Sequence, residues 1–417
     1  MHPGRWKVTL EKVLDLRIRR RRALAAFALP AAALVIPSLG PTTAFAAPSS
    51  NQDDQGRRGD FGFVYTNLNT APMNTVAGFA RHANGTLRPL PGSPFTVGGV
   101  GAGATVGSQG ALQAARGGRF LLVANAASNN ISVVAVDDDG SLRPVAGSPF
   151  SSNGTMPVSI AVHDDLVYVA NAGDGGANYT GFRLGENGQL KPLAGSTVSV
   201  PDGSSLGDVL FNGTGTILVG ARVTYQKPGS STAGAIDSFR VGSKGLLSAA
   251  PGSPYAAPID GPLGSAFRTT NSWQLFVTLA HGGPDKGAVQ AYSVTRDGVL
   301  TPIGAPVGVN QTATCWGAVL PNGRYFYAAN AGSDSISVLS IAPDGSLTDE
   351  GYTTLKGGPG LGTFDIGIDP AGRTLYVVDT AKGEISVAAI KSDSLVELKS
   401  SPVGLPTGVH PFGIVVI

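Results

Sequence analysis

Apolar and polar positions in this chain alternate over short stretches, and the stretches repeat. From Tyr325 to Leu347 the sequence reads YFYAANAGSDSISVLSIAPDGSL, two strand-length apolar runs, each closed by turn formers. Tyr325 to Ala329 predicts one strand, which stops at Asn330-Ala331-Gly332-Ser333-Asp334. Ile336, Val338 and Ile341 predict a second, ending at Asp344-Gly345. A type I′ hairpin is expected there, a turn that needs positive φ at both central positions.

Variants of this unit run from near residue 63 to the C-terminus. The most regular marker is a two-residue turn followed within two positions by Leu: Asn84-Gly85, Asp139-Gly140, Asn187-Gly188, Lys244-Gly245, Asp297-Gly298 and Asp344-Gly345, with a degenerate seventh at Asp393-Ser394-Leu395 that lacks the Gly. A second marker, Gly-Ser-Pro-aromatic, follows at Gly92 to Phe95, Gly147 to Phe150 and Gly252 to Tyr255. Seven copies at a period of about fifty residues predict an all-β, seven-bladed β-propeller with four strands, A to D, in each blade. Strand B is the aromatic and aliphatic one, as in Phe120 to Ala124 or Leu375 to Val378. Strand A carries small residues, as in Gly317-Ala318-Val319, which suits the crowded inner edge of a wedge. Blade one starts at a B-type strand, Phe63-Val64-Tyr65, while the chain ends on an A-type pattern, His410 to Ile417. The C-terminus is therefore expected to supply the inner strand of blade one and so hide an open sheet edge.

Composition fits this reading: 59 Gly, 29 Pro and only 14% charged residues suit short strands joined by many tight turns. Residues 1–47 read as an export signal, with Arg17 and Arg19 to Arg22, an apolar run from Ala23 to Pro37, and an Ala44-Phe45-Ala46 cleavage pattern. The apolar run is too short for a membrane span and holds Pro30. Residues 48–60 read as a flexible lead-in and 61–417 as the propeller, so a secreted or periplasmic monomer with no membrane span after cleavage is expected. Without the first 47 residues the chain has 22 basic and 26 acidic side chains, and a weakly acidic body with no basic stripe argues against a nucleic-acid partner. One cysteine, Cys315, excludes an internal disulfide framework, and a buried inert thiol is expected.

Strand-B endings such as Val167-Tyr168-Val169-Ala170-Asn171, Tyr327-Ala328-Ala329-Asn330 and Leu375-Tyr376-Val377-Val378-Asp379 resemble YVTN-type repeats. With the Asp-Gly-Ser-Leu turns, the region is similar to the lactonase-like propeller family of 6-phosphogluconolactonases and carboxymuconate-lactonising enzymes. The resemblance implies a seven-bladed propeller with a site at the channel mouth built from His, Glu and Arg. Propellers host many functions, so the resemblance is specific for fold and weak for activity.

In a propeller with A innermost, the B-to-C loops and the segments leading into strand A meet at one mouth, which defines a candidate site. The B-to-C side offers Asn67, Asn125, Asn171, Arg222, Tyr225, His281, Asn330 and Asp379; the A side offers Gln109, Ser159, Asp208, Trp316, Asp365 and His410. The repeated Asn is expected to cap its own turn. Arg222 and His281 stand where other blades place Ala-Asn, and such breaks in a repeat are where function is expected. Arg222 could clamp an anionic group and His281 could act as a general base, with Asp208 orienting a water. Gln109, Asn125, Trp316, Asn330, Asp365 and His410 would line the substrate. Glu186, Glu350, Glu384 and Glu397 are placed on blade periphery or outer loops. No metal-ligand spacing and no phosphate-cradling loop is present, so neither a metal nor a cofactor is expected. Two readings stay open: hydrolysis of a small lactone or ester, and a non-catalytic propeller that presents its loops to a polymer, an envelope component or a protein.

Overall fold

The computed structural model describes residues 60–173, 177–201, 204–224, 234–358, 360 and 362–417; the expected export segment, nearly all of the lead-in and the candidate Tyr225 lie outside them. Among the described residues there is no helix. Seven antiparallel sheets form the seven blades, each running A-B-C-D from the axis outward. In blade six the order is Thr314–Val319, Tyr325–Asn330, Ser335–Ile341 and Leu347–Thr354. Ile414–Val416 pairs with blade one, Val64 opposite Val416 and Thr66 opposite Ile414, so the C-terminus closes the ring as expected.

The outer strand is continuous in blades five and six and broken in two in the others. The broken ones carry a serine between the halves, and its Oγ accepts the strand-C N–H left open by the break: Ser93 from Gly78, Ser148 from Val133, Ser196 from Gly181, Ser253 from Ser238 and Ser401 from Val387. The Gly-Ser-Pro marker therefore caps a strand break.

The hairpin into strand D differs from expectation. Only the glycine has positive φ, +86° at Gly85 and +93° at Gly345, and Gly85 N–H donates to His82 while His82 N–H donates to Thr86. This is a three-residue loop whose last residue is left-handed, and the preceding Asn84 or Asp344 uses its side chain to accept the N–H two residues on. Close packing adds a second demand for glycine: a Cβ on Gly140 would lie 2.4 Å from the Phe63 ring. The glycine carbonyls also latch neighbouring blades, because Tyr65, Tyr168 and Tyr376 donate their hydroxyls to Gly140, Gly245 and Gly85 of the next blade at 2.7, 2.8 and 3.0 Å. Blade six precedes the turn that has lost its Gly, and there the Tyr327 hydroxyl finds no partner.

Candidate functional site

The B-to-C loops and the segments leading into strand A do meet at one end: Ala127 N–H bonds Val100, Ala172 bonds Met156, Ala280 bonds Gly261, Ala331 bonds Ala313 and Thr380 bonds Gly362. The repeated asparagines, however, are the last residues of strand B and fully buried. Asn125 accepts from Asn74 and donates to Asn130 and Ser132. Asn330 accepts from Thr314 at 2.7 Å and donates to Ser335 and Ser337. These side chains are structural, but they tie neighbouring strands together through other side chains where capping of their own turn was expected, and they do not face a ligand.

Arg222 occupies the same place in blade four. Its planar fork grips Asp237 on strand C at 2.6 and 2.5 Å, and Tyr179 of blade three donates to the same carboxylate at 2.9 Å. Both partners of the pair are almost wholly buried, so the fork balances an internal charge.

In blade five the place belongs to Leu279, which lies opposite Pro262 as Asn171 lies opposite Pro157. Strand B runs to Leu279 there, and His281 falls two residues beyond it. Its ring is exposed on one side and lies against Gly261 on the other, where a Cβ would come within 2.4 Å of it. That partial burial lowers the imidazole pKa, and the Asp260 carboxylate opposes the shift. Asp260 is held by the N–H groups of Gly234 and Gly261, both at 2.8 Å. His410 is half-buried on the lead into the closing strand, three blades away around the ring.

The centre of the channel is filled by the segment leading into blade two. Gln109 N–H bonds Gly207 of blade four, its side-chain amide donates to Ser265 of blade five at 2.8 Å and accepts from Gly317 of blade six at 2.9 Å. Gly110 accepts from Ile160 of blade three and donates to Asp365 of blade seven. A residue pair that reaches the inner strands of five blades has to lie on the axis. Trp316 joins the same plug, donating Nε1–H to Ser108 at 2.8 Å and stacking on Phe364 with ring centroids 3.9 Å apart. Asp208 faces the plug from blade four and accepts from the N–H and hydroxyl of Ser265 at 2.9 and 2.6 Å. Burial raises its pKa to about 7 against those hydrogen bonds. Asp365 is raised to about 8, chiefly by burial, with Gly110 opposing and the Asp208 charge adding. Cys315 is buried and its thiol pushed up to about 12, as an inert thiol would be.

Three acids, Asp237, Asp260 and Glu384, thus have roles that sequence reasoning did not assign. Asp237 and Asp260 gave no repeat signal, since they are visible only through their partners. Asp379 takes the Asn position of blade seven, and Glu384, expected on the periphery, is its direct cross-strand neighbour at the start of strand C, with Oε2 buried. The shift in place arises because strand C of this blade begins at Glu384, inside the hairpin that Asp379 opens. Burial, with Glu384, Glu397 and Asp334 adding, raises Asp379 to about 8. Among the described residues no group of three or more His, Cys, Asp or Glu side chains is placed to hold a metal ion. A cavity of about 470 Å³ lies at the opposite end of the channel, lined by Ala114 to Gly118, Val162 and Asp164. Its one cation, Arg116, is tied to Glu186 and the Leu184 carbonyl, so it offers little chemistry.

Residues 229–411 match the family model described as lactonase, 7-bladed beta-propeller. No curated protein matches the chain. Among solved structures, a protein from Bacteroides fragilis provisionally named a 6-phosphogluconolactonase is similar with a TM-score of 0.67 and 20% identity, over 89% of this chain and 100% of that one. A protein from Bacteroides uniformis with the same provisional name gives 0.67 and 19%, over 86% and 100%. A periplasmic gluconolactonase from Pseudomonas aeruginosa gives 0.64 and 17%, over 85% and 99%. At these identities the likeness is one of fold.

Proposed function

We propose that this seven-bladed β-propeller, of which residues 229–411 match a lactonase family model, hydrolyses a small lactone or related ester at the rim between blades four and five, with His281 as the base. The observation that carries this reading is the placement of His281: exposed at the mouth, its pKa lowered so that the ring is neutral at pH 7, with Asp260 beside it. A neutral imidazole takes a proton from water as the water oxygen bonds to the lactone carbonyl carbon. The imidazolium then returns that proton to the ring oxygen as the acyl C–O bond breaks, and Asp260 stabilises the cation in between. Arg222, expected to clamp an anionic group, has its fork taken up by Asp237. The export pattern of residues 1–47 supports a site of action outside the cytoplasm, on substrates that occur there.

A second reading, a non-catalytic propeller whose rim holds a polymer or a protein, is favoured by the same Arg222–Asp237 pair and by the Gln109 plug, which leave the channel centre closed. A panel of sugar and aliphatic lactones separates the two. His281→Asn is expected to cut kcat/KM by roughly 100-fold or more with unchanged melting. Equal rates in His281→Asn would remove this site, and no turnover of any lactone by the wild type would favour the binding reading.

A further inference from the structure

Blade six provides a reference for blade seven. At the mouth end of blade six, Thr314, Asn330, Ser335 and Ser337 form a closed set: Thr314 donates to Asn330, which donates to both serines, and the Ser335 hydroxyl donates to Gln311 Oε1 at 2.8 Å. The corresponding set in blade seven is Thr363, Asp379, Glu384 and Ser386. Replacing Asn by Asp removes two N–H donors, and replacing Ser by Glu sets a second carboxylate beside the first. Ser386 still donates to Asp379 Oδ2 at 2.6 Å, so the carboxylate points to the same face as its counterpart. The rest of the set is open. Thr363 Oγ1, Asp379 Oδ1 and Glu384 Oε2 are all buried without a hydrogen-bond partner.

These three oxygens belong to direct partners on adjacent strands, Thr363 opposite Asp379 and Asp379 opposite Glu384, so their side chains stand on one face of the sheet a few ångströms apart. Thr363 and Asp379 are fully buried. The nearby lysines do not close the gap: Lys382 Nζ donates to the Gly357 carbonyl and Lys356 Nζ to the carbonyls of Glu397 and Leu398. A buried aspartate beside a half-buried glutamate, with no cationic side chain between them among the described residues, is balanced only by a proton or by a bound cation, and a cation would also use the open Thr363 oxygen. All-oxygen donors select a hard cation, and carboxylates with a hydroxyl, completed by water and backbone carbonyls, are calcium chemistry. We propose that Asp379, Glu384 and Thr363 form a binding site for a hard divalent cation of the calcium class, which pins strands A, B and C of blade seven where Asn330 pins those of blade six.

The test uses the whole chain, stripped with a chelator and titrated with calcium chloride while melting is followed, with bound calcium measured by elemental analysis after desalting. The wild type is expected to retain about one calcium per chain and to melt several degrees higher at saturation, because a ligand that binds only the folded state raises its stability. Asp379→Asn with Glu384→Ser, which copies blade six, is expected to fold, to bind no calcium and to melt independently of it. If that double variant does not fold, Glu384→Gln replaces it, and its calcium affinity is expected to fall at least tenfold. A calcium response of equal size in the variant overturns the proposal, and so does a wild type that neither binds calcium nor responds to it. Neither outcome bears on His281, whose assay is read separately.

Discussion

Blades four and seven both depart from the repeated asparagine, and they differ in how the departure is closed. In blade four Arg222 arrives with its own counter-charge, Asp237, and a hydroxyl from Tyr179, so the substitution is balanced inside the protein. In blade seven Asp379 arrives with a like charge, Glu384, and three oxygens stay unpaired. A break in a repeat therefore does not by itself mark function. A break that leaves its polar groups unbalanced, as in blade seven, is the better place to test for a ligand.

The severest way to test the blade-seven side is to remove what supports it. Deleting Pro411 to Ile417 takes away the inner strand of blade one and the Pro411 carbonyl that accepts from Thr380 of blade seven at 2.6 Å. Loss of soluble protein with a cooperative melt is expected, and an unchanged melt would show that closure lies elsewhere.

Arg222→Ala is next, at about 3–5 kcal/mol of stability, because it strands the Asp237 carboxylate in the interior. The double variant Arg222→Ala with Asp237→Ala is expected to recover much of that loss in a denaturation cycle. The contrast with blade seven is one of sign: Asp379→Asn in calcium-free buffer should melt no lower than the wild type, since it removes a like-charge contact and adds donors.

The pH dependence probes the plug between these two blades. Asp208 and Asp365 have folded pKa values raised to about 7 and about 8 from 3.8. The folded chain therefore holds more protons than the unfolded one between about pH 4 and pH 8, and stability falls as pH rises through that window and then levels off. Melting temperatures should be higher at pH 5 than at pH 8, and Asp365→Asn should flatten the slope.

The smallest effect separates two tyrosine latches. Tyr376→Phe loses its bond to Gly85 and is expected to cost about 1 kcal/mol, whereas Tyr327→Phe removes a hydroxyl that bonds to nothing and should be near neutral in urea denaturation.

Much of the architecture was legible in the chain itself. The seven turn markers, including the degenerate one at Asp393-Ser394, counted the blades, and the B-type strand at Phe63 with the A-type pattern after His410 implied the closure. These features are local: a turn glycine, an alternation of period two or a strand edge depends on residues within a few positions of one another. The turn type is not legible in the same way, because positive φ at Gly345 is common to both hairpins and only the backbone of Asp344 distinguishes them.

What the tertiary structure alone decided was which polar side chains are free to act. Arg222, Asn330 and Gln109 were all reasonable ligands by position, yet their partners, Asp237, Thr314 and Ser265, lie 15, 16 and 156 residues away. A hydrogen bond or ion pair is settled by distances of a few tenths of an ångström between strands and blades, and no pattern along the chain encodes them. The sequence determined a ring of seven blades with one mouth. Only the packing of that ring showed that His281 remains exposed at the rim, that Gln109 stoppers the axis, and that Asp379 and Glu384 face each other without a counter-charge.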